Sequence, residues 1–116
     1  MGRSNPVVFF EIGCRDSEST SQFYSSLFDW NLSSTPMGAM IDTGEGIPGQ
    51  ITSLGHEPHQ YTTFYVQVDD VEASIEKAKE LGGTLIVGPV PIPMGTFAWI
   101  SDPGGNVIGL WKPKGA

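Results

Sequence analysis

Ser101-Asp-Pro-Gly-Gly-Asn-Val-Ile-Gly-Leu-Trp111 is a tight reversal followed by a short strand. Asp102, Pro103, Gly104, Gly105 and Asn106 each favour a turn. Val107 to Trp111 is apolar and β-rich. Gly109 is the odd member, because glycine weakens a strand interior and offers no side chain to pack. Read alone, it leaves open space on one face of the strand.

Working outward, the same grammar recurs. Val7 to Ile12 reads as a strand, with Val8, Phe10 and Ile12 on one face and Val7, Phe9 and Glu11 on the other. Asp16 suits a helix N-cap, and Phe23, Tyr24, Leu27 and Phe28 fall at helical spacing, predicting a helix over 17–28. Short strands follow at Trp30 to Ser33, Gly38 to Ile41 and Gly49 to Ser53. After a polar link, Leu54 to Gln60, the order begins again. Tyr61 to Val68 alternates, with Thr63, Tyr65 and Gln67 facing one way. Asp70 is a second N-cap, and Val71, Ile75, Ala78 and Leu81 form a helical stripe that Gly82-Gly83 stops. Strands are expected at 84–87, 96–100 and 106–112. Gly88 to Pro93, with three prolines, reads as an extended, edge or loop segment.

The order is therefore β-α-β-β-β, written twice. A displacement of 54 residues lays Phe10 on Phe64, Ile12 on Val66, Asp16 on Asp70 and Leu27 on Leu81. A displacement of 59 lays Ile41 on Ile100 and the Asp42-to-Gly46 turn on the Ser101-to-Gly105 turn. The expected fold class is α+β. Two βαβββ modules, about 6–54 and 61–113, form a curved mixed sheet around a central cleft in one domain spanning 1–116, with one helix outside each module. Phe10, Ile12, Phe64, Val66, Ile108 and Leu110 would face the helices. Phe9, Glu11, Thr63, Tyr65, Val107, Gly109 and Trp111, with Gln50 and Thr52, would line the concave face, a mixture suited to a small ligand.

Composition narrows the function. The 116 residues include one cysteine, Cys14, so there is no disulfide framework and no CxxC metal pattern. Thirteen acidic residues against six basic ones give a net charge of −7, which argues against nucleic acid. The charge favours a cationic small molecule or plain solubility. No apolar run approaches the roughly 18 residues of a membrane span. The opening MGRSNPVVFFEIG lacks the apolar length of a signal peptide. A cytoplasmic setting, no membrane partner and no nucleic-acid partner are expected.

Three segments carry a family resemblance: Val8 to Asp16 with Phe23-Tyr24 and Leu27-Phe28-Asp29-Trp30, then Tyr65 to Asp70 with Leu81-Gly-Gly83, then Asp102 to Asn106 with Gly109-Leu-Trp111. Together they resemble the vicinal oxygen chelate superfamily, which contains glyoxalase I, extradiol dioxygenases and bleomycin resistance proteins. The resemblance implies a homodimer. In metal-dependent members, four concave-face side chains, usually His or Glu, hold a divalent ion. Carried onto this chain, those positions are Phe9, Gln50, Thr63 and Gly109. Hard cations want carboxylates, imidazoles, carbonyls and waters. The resemblance thus implies a metal-free member, without cofactor, binding a small, partly apolar or aromatic ligand. The antibiotic-binding branch sequesters its ligand in an acidic crevice, which suits the charge.

Several residues bear on that reading. Burial beside aromatic side chains would suit Glu11 to act as a base or a polar contact to ligand; otherwise it lies at an open rim, pairing with Arg15 or solvent. Tyr65, Trp99 and Trp111 would stack a planar or cationic ligand, or fill the cleft or a dimer interface. Trp30 suits core or interface. His56 and His59 flank Glu57 and Pro58, so they read as a loop pair, or an opportunistic surface metal site, and not as a helical HExxH. Gly44, Gly46 and Gly49 lack the lysine that ends a P-loop. Cys14 has no evident base and reads as a buried spacer. The alternative to a binding protein is a lyase, isomerase or dioxygenase-like enzyme using Glu11 or a shifted metal site.

Overall fold

The computed structural model describes residues 4–54 and 60–115. His56 and His59 lie outside the described residues. The element order is β1 (Val7–Gly13), α1 (Ser17–Phe28), β2 (Asn31–Thr35), β3 (Gly38–Asp42), β4 (Gly49–Thr52), β5 (Tyr61–Gln67), α2 (Val71–Glu80), β6 (Thr84–Ile92), β7 (Gly95–Ser101) and β8 (Val107–Pro113). The chain is α+β, and the βαβββ order occurs twice. It forms two compact units. One is Phe9–Thr63; the other runs from Phe64 onward and includes the described residues before Phe9.

In the first unit the strands run in the order β2-β3-β4-β1. β4 lies parallel to β1, and the remaining pairs are antiparallel. Ile12, Cys14, Ile41 and Ile51 form its core, with Phe10, Tyr24, Trp30 and Leu32 packed around them. α1 starts where the Asp16 carboxylate accepts from the backbone amides of Glu18 and Ser19, at 3.1 and 3.2 Å. These bonds satisfy donors that a helix start otherwise leaves open. It stops at Asp29, whose φ of 61° is left-handed. Of the aromatic stripe, Tyr24 packs on the core, whereas Phe23, Leu27 and Phe28 are exposed.

The second unit repeats the plan in the order β5-β8-β7-β6, with β8 parallel to β5 and β7 antiparallel to both β8 and β6. Val71, Ile75, Ala98, Ile100 and Leu110 make its core, supported by Val68, Ala78, Leu85 and Ile108. Asp70 caps α2 through the amide of Ala73 at 2.9 Å. Leu81 falls off the expected stripe: it is the C-cap, 69% exposed, and left-handed Gly82 turns the chain immediately after it. Phe64, expected to face the helix, is 40% exposed. β6 is longer than the strand expected at 84–87. It runs on through Pro89 and Pro91, with register shifts between Leu85 and Val90. An edge strand hydrogen-bonds on one side only, so prolines and bulges are tolerated there.

The SDPGGN segment is the β7–β8 loop. The Asp102 carboxylate accepts from the amides of Gly104 and Asn106, both at 2.9 Å, and from the Asn106 side chain at 3.0 Å. Gly105 takes a φ of +91°, which glycine adopts without strain. The β3–β4 loop uses the same device: Asp42 accepts from the amide of Gly44 at 2.8 Å. Asp42 therefore answers to Asp102, one residue away from the 59-residue displacement.

Candidate functional site

β1 packs Phe10 and Ile12 on the α1 side, so strand alternation puts Phe9 and Glu11 on the other. Glu11 is 2% exposed, which overturns the open-rim reading. Parallel pairing sets Glu11 opposite Gln50 on β4, and the Gln50 amide Nε2 donates to Glu11 Oε1 at 2.7 Å. The Tyr61 hydroxyl donates to Glu11 Oε2. Its ring lies across Gly13, where a Cβ would run into it, so a glycine is what lets the phenol reach the carboxylate. Hydrogen bonds to an ionised group are about twice as strong as neutral ones, and burial of a carboxylate depends on them. Thr52 and Thr63 are also buried, and Phe9 is half-buried.

The matching face of the second unit is aromatic. Gly109 pairs with Tyr65 on one side and Trp99 on the other. The space above it is not open: a Cβ at Gly109 would strike the Tyr65 ring. Tyr65 instead leans over β8, and its hydroxyl accepts from the Trp99 indole N–H at 2.8 Å. Phe97 completes the group, with its ring centre 6.4 Å from Tyr65 and 6.0 Å from Trp99. Trp111 pairs with Phe97, and its ring covers Gly95, where a Cβ would lie 2.7 Å from Cη2. Tyr65 and Trp99 are buried; Phe97, Val107 and Trp111 are half-buried.

A family model described as the glyoxalase/bleomycin resistance protein/dioxygenase superfamily matches residues 6–110. The chain belongs to this superfamily. CFP32 of Mycobacterium tuberculosis, which bears the name of a glyoxylase, is 28% identical over 95% of the chain and 46% of its own length. The chain thus spans about half the length of that relative. A glyoxylase-like domain-containing protein of Didymella fabae is 28% identical over 90% of the chain and 91% of its own length. Among solved structures, the hypothetical protein BH1468 of Bacillus halodurans superposes with a TM-score of 0.72 at 19% identity, covering 98% of each chain. Methylmalonyl-CoA epimerase of Streptomyces coelicolor gives 0.70 at 16% identity, also covering 98% of each. At such identities the structures speak for the fold alone.

Within the superfamily's repeat, the strand register is informative. Glu11 pairs with Gln50, and Tyr65 pairs with Gly109. Adding 54 and 59 residues converts the first pair into the second, so Gln50 and Gly109 stand at equivalent places. The four residues expected, from the family resemblance, at metal-ligand positions bring few donors for a divalent ion. Phe9 offers a phenyl ring, Gly109 offers nothing and lies under Tyr65, and the Gln50 amide nitrogen is committed to Glu11. Thr63 brings a neutral hydroxyl. Among the described residues no three His, Cys, Asp or Glu side chains cluster as a metal site.

Two residues escaped the sequence reading. Tyr61 has the parity of Thr63 and Tyr65, and Phe97 has the parity of Trp99, so extending each alternation by one step would have found them. Other candidates are structural. Cys14 is buried and its thiol donates to the Thr52 carbonyl at 3.7 Å. Gly44 and Gly46 are left-handed loop residues, while Gly49 lies beneath the Phe10 ring. Trp30 stacks on Tyr24 at 5.5 Å against the first core. The Asn106 side chain, followed by the Asn106 backbone amide, holds the Asp102 carboxyl below its ordinary range. Among the described residues, no helix is long and apolar enough to cross a membrane.

Proposed function

We propose that the chain binds a small, partly apolar or aromatic ligand, that it does so without a metal, and that it works as a homodimer. Glu11 carries the reading. A carboxylate buried to this degree is costly to keep, and here it is held at fixed orientation by the amide of Gln50 and the phenol of Tyr61. Such an arrangement is a ready polar contact for a cationic or hydrogen-bond-donating group. The donor-poor set Phe9, Gln50, Thr63 and Gly109 supports the metal-free part. The rings of Tyr65, Phe97, Trp99 and Trp111 are surfaces of the kind that stack planar ligands.

A fluorescence titration of the tryptophans with aromatic cations and with neutral aromatic metabolites tests this. Saturable quenching that weakens at least tenfold in Glu11→Gln is expected. No response to any of these ligands would count against the binding role. The second reading is an isomerase, lyase or dioxygenase-like enzyme. The phenol of Tyr61 bonded to the Glu11 carboxylate favours it, as a proton donor and acceptor already in contact. Elemental analysis of the purified chain separates the readings first. One tightly bound divalent ion per chain would sink the metal-free proposal.

A further inference from the structure

α2 is shorter than the sheet it packs on. Its ten residues span about 15 Å, whereas the nine of β6 span about 30 Å. Val71 and Ile75 of the helix join Ala98, Ile100 and Leu110 in one core, which stops short of the end of the sheet. The next row on that face is Pro91, Thr96 and Lys112. Register fixes it: Pro91 pairs with Thr96 and Thr96 with Lys112, two residues along from Ala98 and Leu110. That row, together with Ile92, Pro113 and Lys114, lines a pocket of about 340 Å³. The Lys114 amide donates to the Met94 carbonyl at 2.8 Å, which ties the segment after β8 to the β6–β7 hairpin. By the same alternation the rings of Phe97, Trp99 and Trp111 belong to the opposite face, and none of them lines the pocket.

The charge of this pocket is opposite to that of the molecule. The chain has 13 acidic residues against six basic ones, yet Lys112 and Lys114 line the pocket and no acid among the described residues does. Neither lysine has an ion pair among the described residues. Two ammonium groups gathered at one concavity repel each other, and an anion held by both relieves that repulsion. Lys112 is half-buried and Lys114 exposed, which suits side chains that pack their methylenes and keep the charged head in water. Pro91, Ile92 and Pro113 supply apolar wall, and the Thr96 hydroxyl is a donor suited to an anionic oxygen. The volume lies at the lower end for small-molecule sites, with room for one ring or a short chain. We propose that this pocket binds a small organic anion, a carboxylate or phosphate group carried on a compact apolar body. Lys112 and Lys114 hold the charged group, and the prolines and Ile92 hold the body. A nucleic acid or an anionic membrane is a poor match, because a net charge of −7 repels an extended polyanion.

Titration of the isotope-labelled full chain with phenyl phosphate and with benzoate, followed by amide NMR shifts, tests it. Saturable shifts centred on Ile92, Thr96, Lys112 and Lys114 are expected with at least one probe, and which one binds tells phosphate from carboxylate. Lys112→Gln should weaken binding about fivefold, and Lys112→Gln combined with Lys114→Gln about tenfold or more. Raising salt from about 50 to about 500 mM should weaken binding to the wild type, because exposed charges are screened. Glu11→Gln should leave these shifts unchanged, which separates this site from the ligand proposed for Glu11. Should the double variant fail to fold, the salt response and the neutral probe benzyl alcohol still decide. The inference is overturned if neither anion shifts those amides, if benzyl alcohol shifts them at the same concentrations, or if binding is indifferent to salt. It is also overturned if a folded double variant binds as well as the wild type. Inorganic phosphate binding as tightly as either probe would mean an adventitious ion only, and would overturn it too.

Discussion

The pair Glu11–Gln50 and the pair Tyr65–Gly109 occupy the same two backbone positions in the two halves of a repeat. In the first half the pair is a carboxylate and an amide, joined side chain to side chain at 2.7 Å. In the second it is a ring and a glycine, and the ring uses the vacant side-chain position to lean toward the next strand and meet Trp99. One backbone frame thus supports a polar anchor and an aromatic surface. The choice between them rests on whether the β4 or β8 residue has a side chain. The helices diverge in the same way: α2 is charged and solvated, while α1 is nearly uncharged and bare.

The most direct way to break this comparison is Gly109→Glu, which puts a carboxylate side chain where the Tyr65 ring now lies. The new side chain must displace the Tyr65 ring and strand the Trp99 indole N–H. A loss of about 3 kcal/mol or more in chemical denaturation is expected. No tight divalent-ion binding should appear, because Phe9 and Thr63 still supply no charged or imidazole ligand. A stable Gly109→Glu chain that binds one divalent ion tightly would show that the ring is not what the glycine is for.

The reciprocal change is Gln50→Ala in the first half. It removes one neutral donor from a buried carboxylate and should cost about 2 kcal/mol, the range for leaving a buried polar group short of a partner. Ligand affinity should fall with it, since Glu11 loses its fixed orientation. If stability and affinity are both unchanged, Glu11 is held by its other contacts and the amide is incidental. A milder probe of the second half is Tyr65→Phe, which keeps the ring over Gly109 but deletes the acceptor for Trp99. A loss of about 1 kcal/mol and a shift in tryptophan emission are expected.

These residues also mark how far the sequence could be read. Alternation along β1 and β8 sorted Phe10, Ile12 and Leu110 to the helix side, and Phe9, Glu11 and Gly109 away from it, because a strand's period of two leaves no choice. The turn residues and caps, Asp16, Asp70 and Asp102, were legible because each acts on amides within four residues of itself. What fills the space over Gly109 was not legible. That depends on a ring from a strand 44 positions away in the chain (Tyr65 to Gly109), and sequence spacing carries no such distance. The bareness of α1 was hidden for a similar reason. Helical spacing shows which residues share a stripe, but how much of the stripe a four-stranded sheet covers is a property of the packed layers. Leu81 was assigned to the α2 stripe by period alone, although Gly82 had already ended the helix.

The smallest effect separates the two hairpin loops. Asp102 accepts from two amides and from the Asn106 side chain, whereas Asp42 accepts from the amide of Gly44. The Asn106 side chain is the largest cause lowering the Asp102 pKa from 3.8. A carboxyl whose folded-state pKa is depressed adds stability above its unfolded value and loses it as pH falls through the folded value. The stability difference between wild type and Asp102→Ala should therefore be constant near neutral pH and shrink as pH drops below 3.8. Asp102 is exposed, so solvent screens the effect and the change will be small. Denaturation curves at stepped pH would measure it. A difference that stays flat to the lowest pH would mean that loop geometry, and not the charge on Asp102, holds the reversal ahead of β8. Asp42→Ala, with fewer bonds to lose, should cost less than Asp102→Ala at neutral pH; the opposite order would mean that the two loops do not share the device.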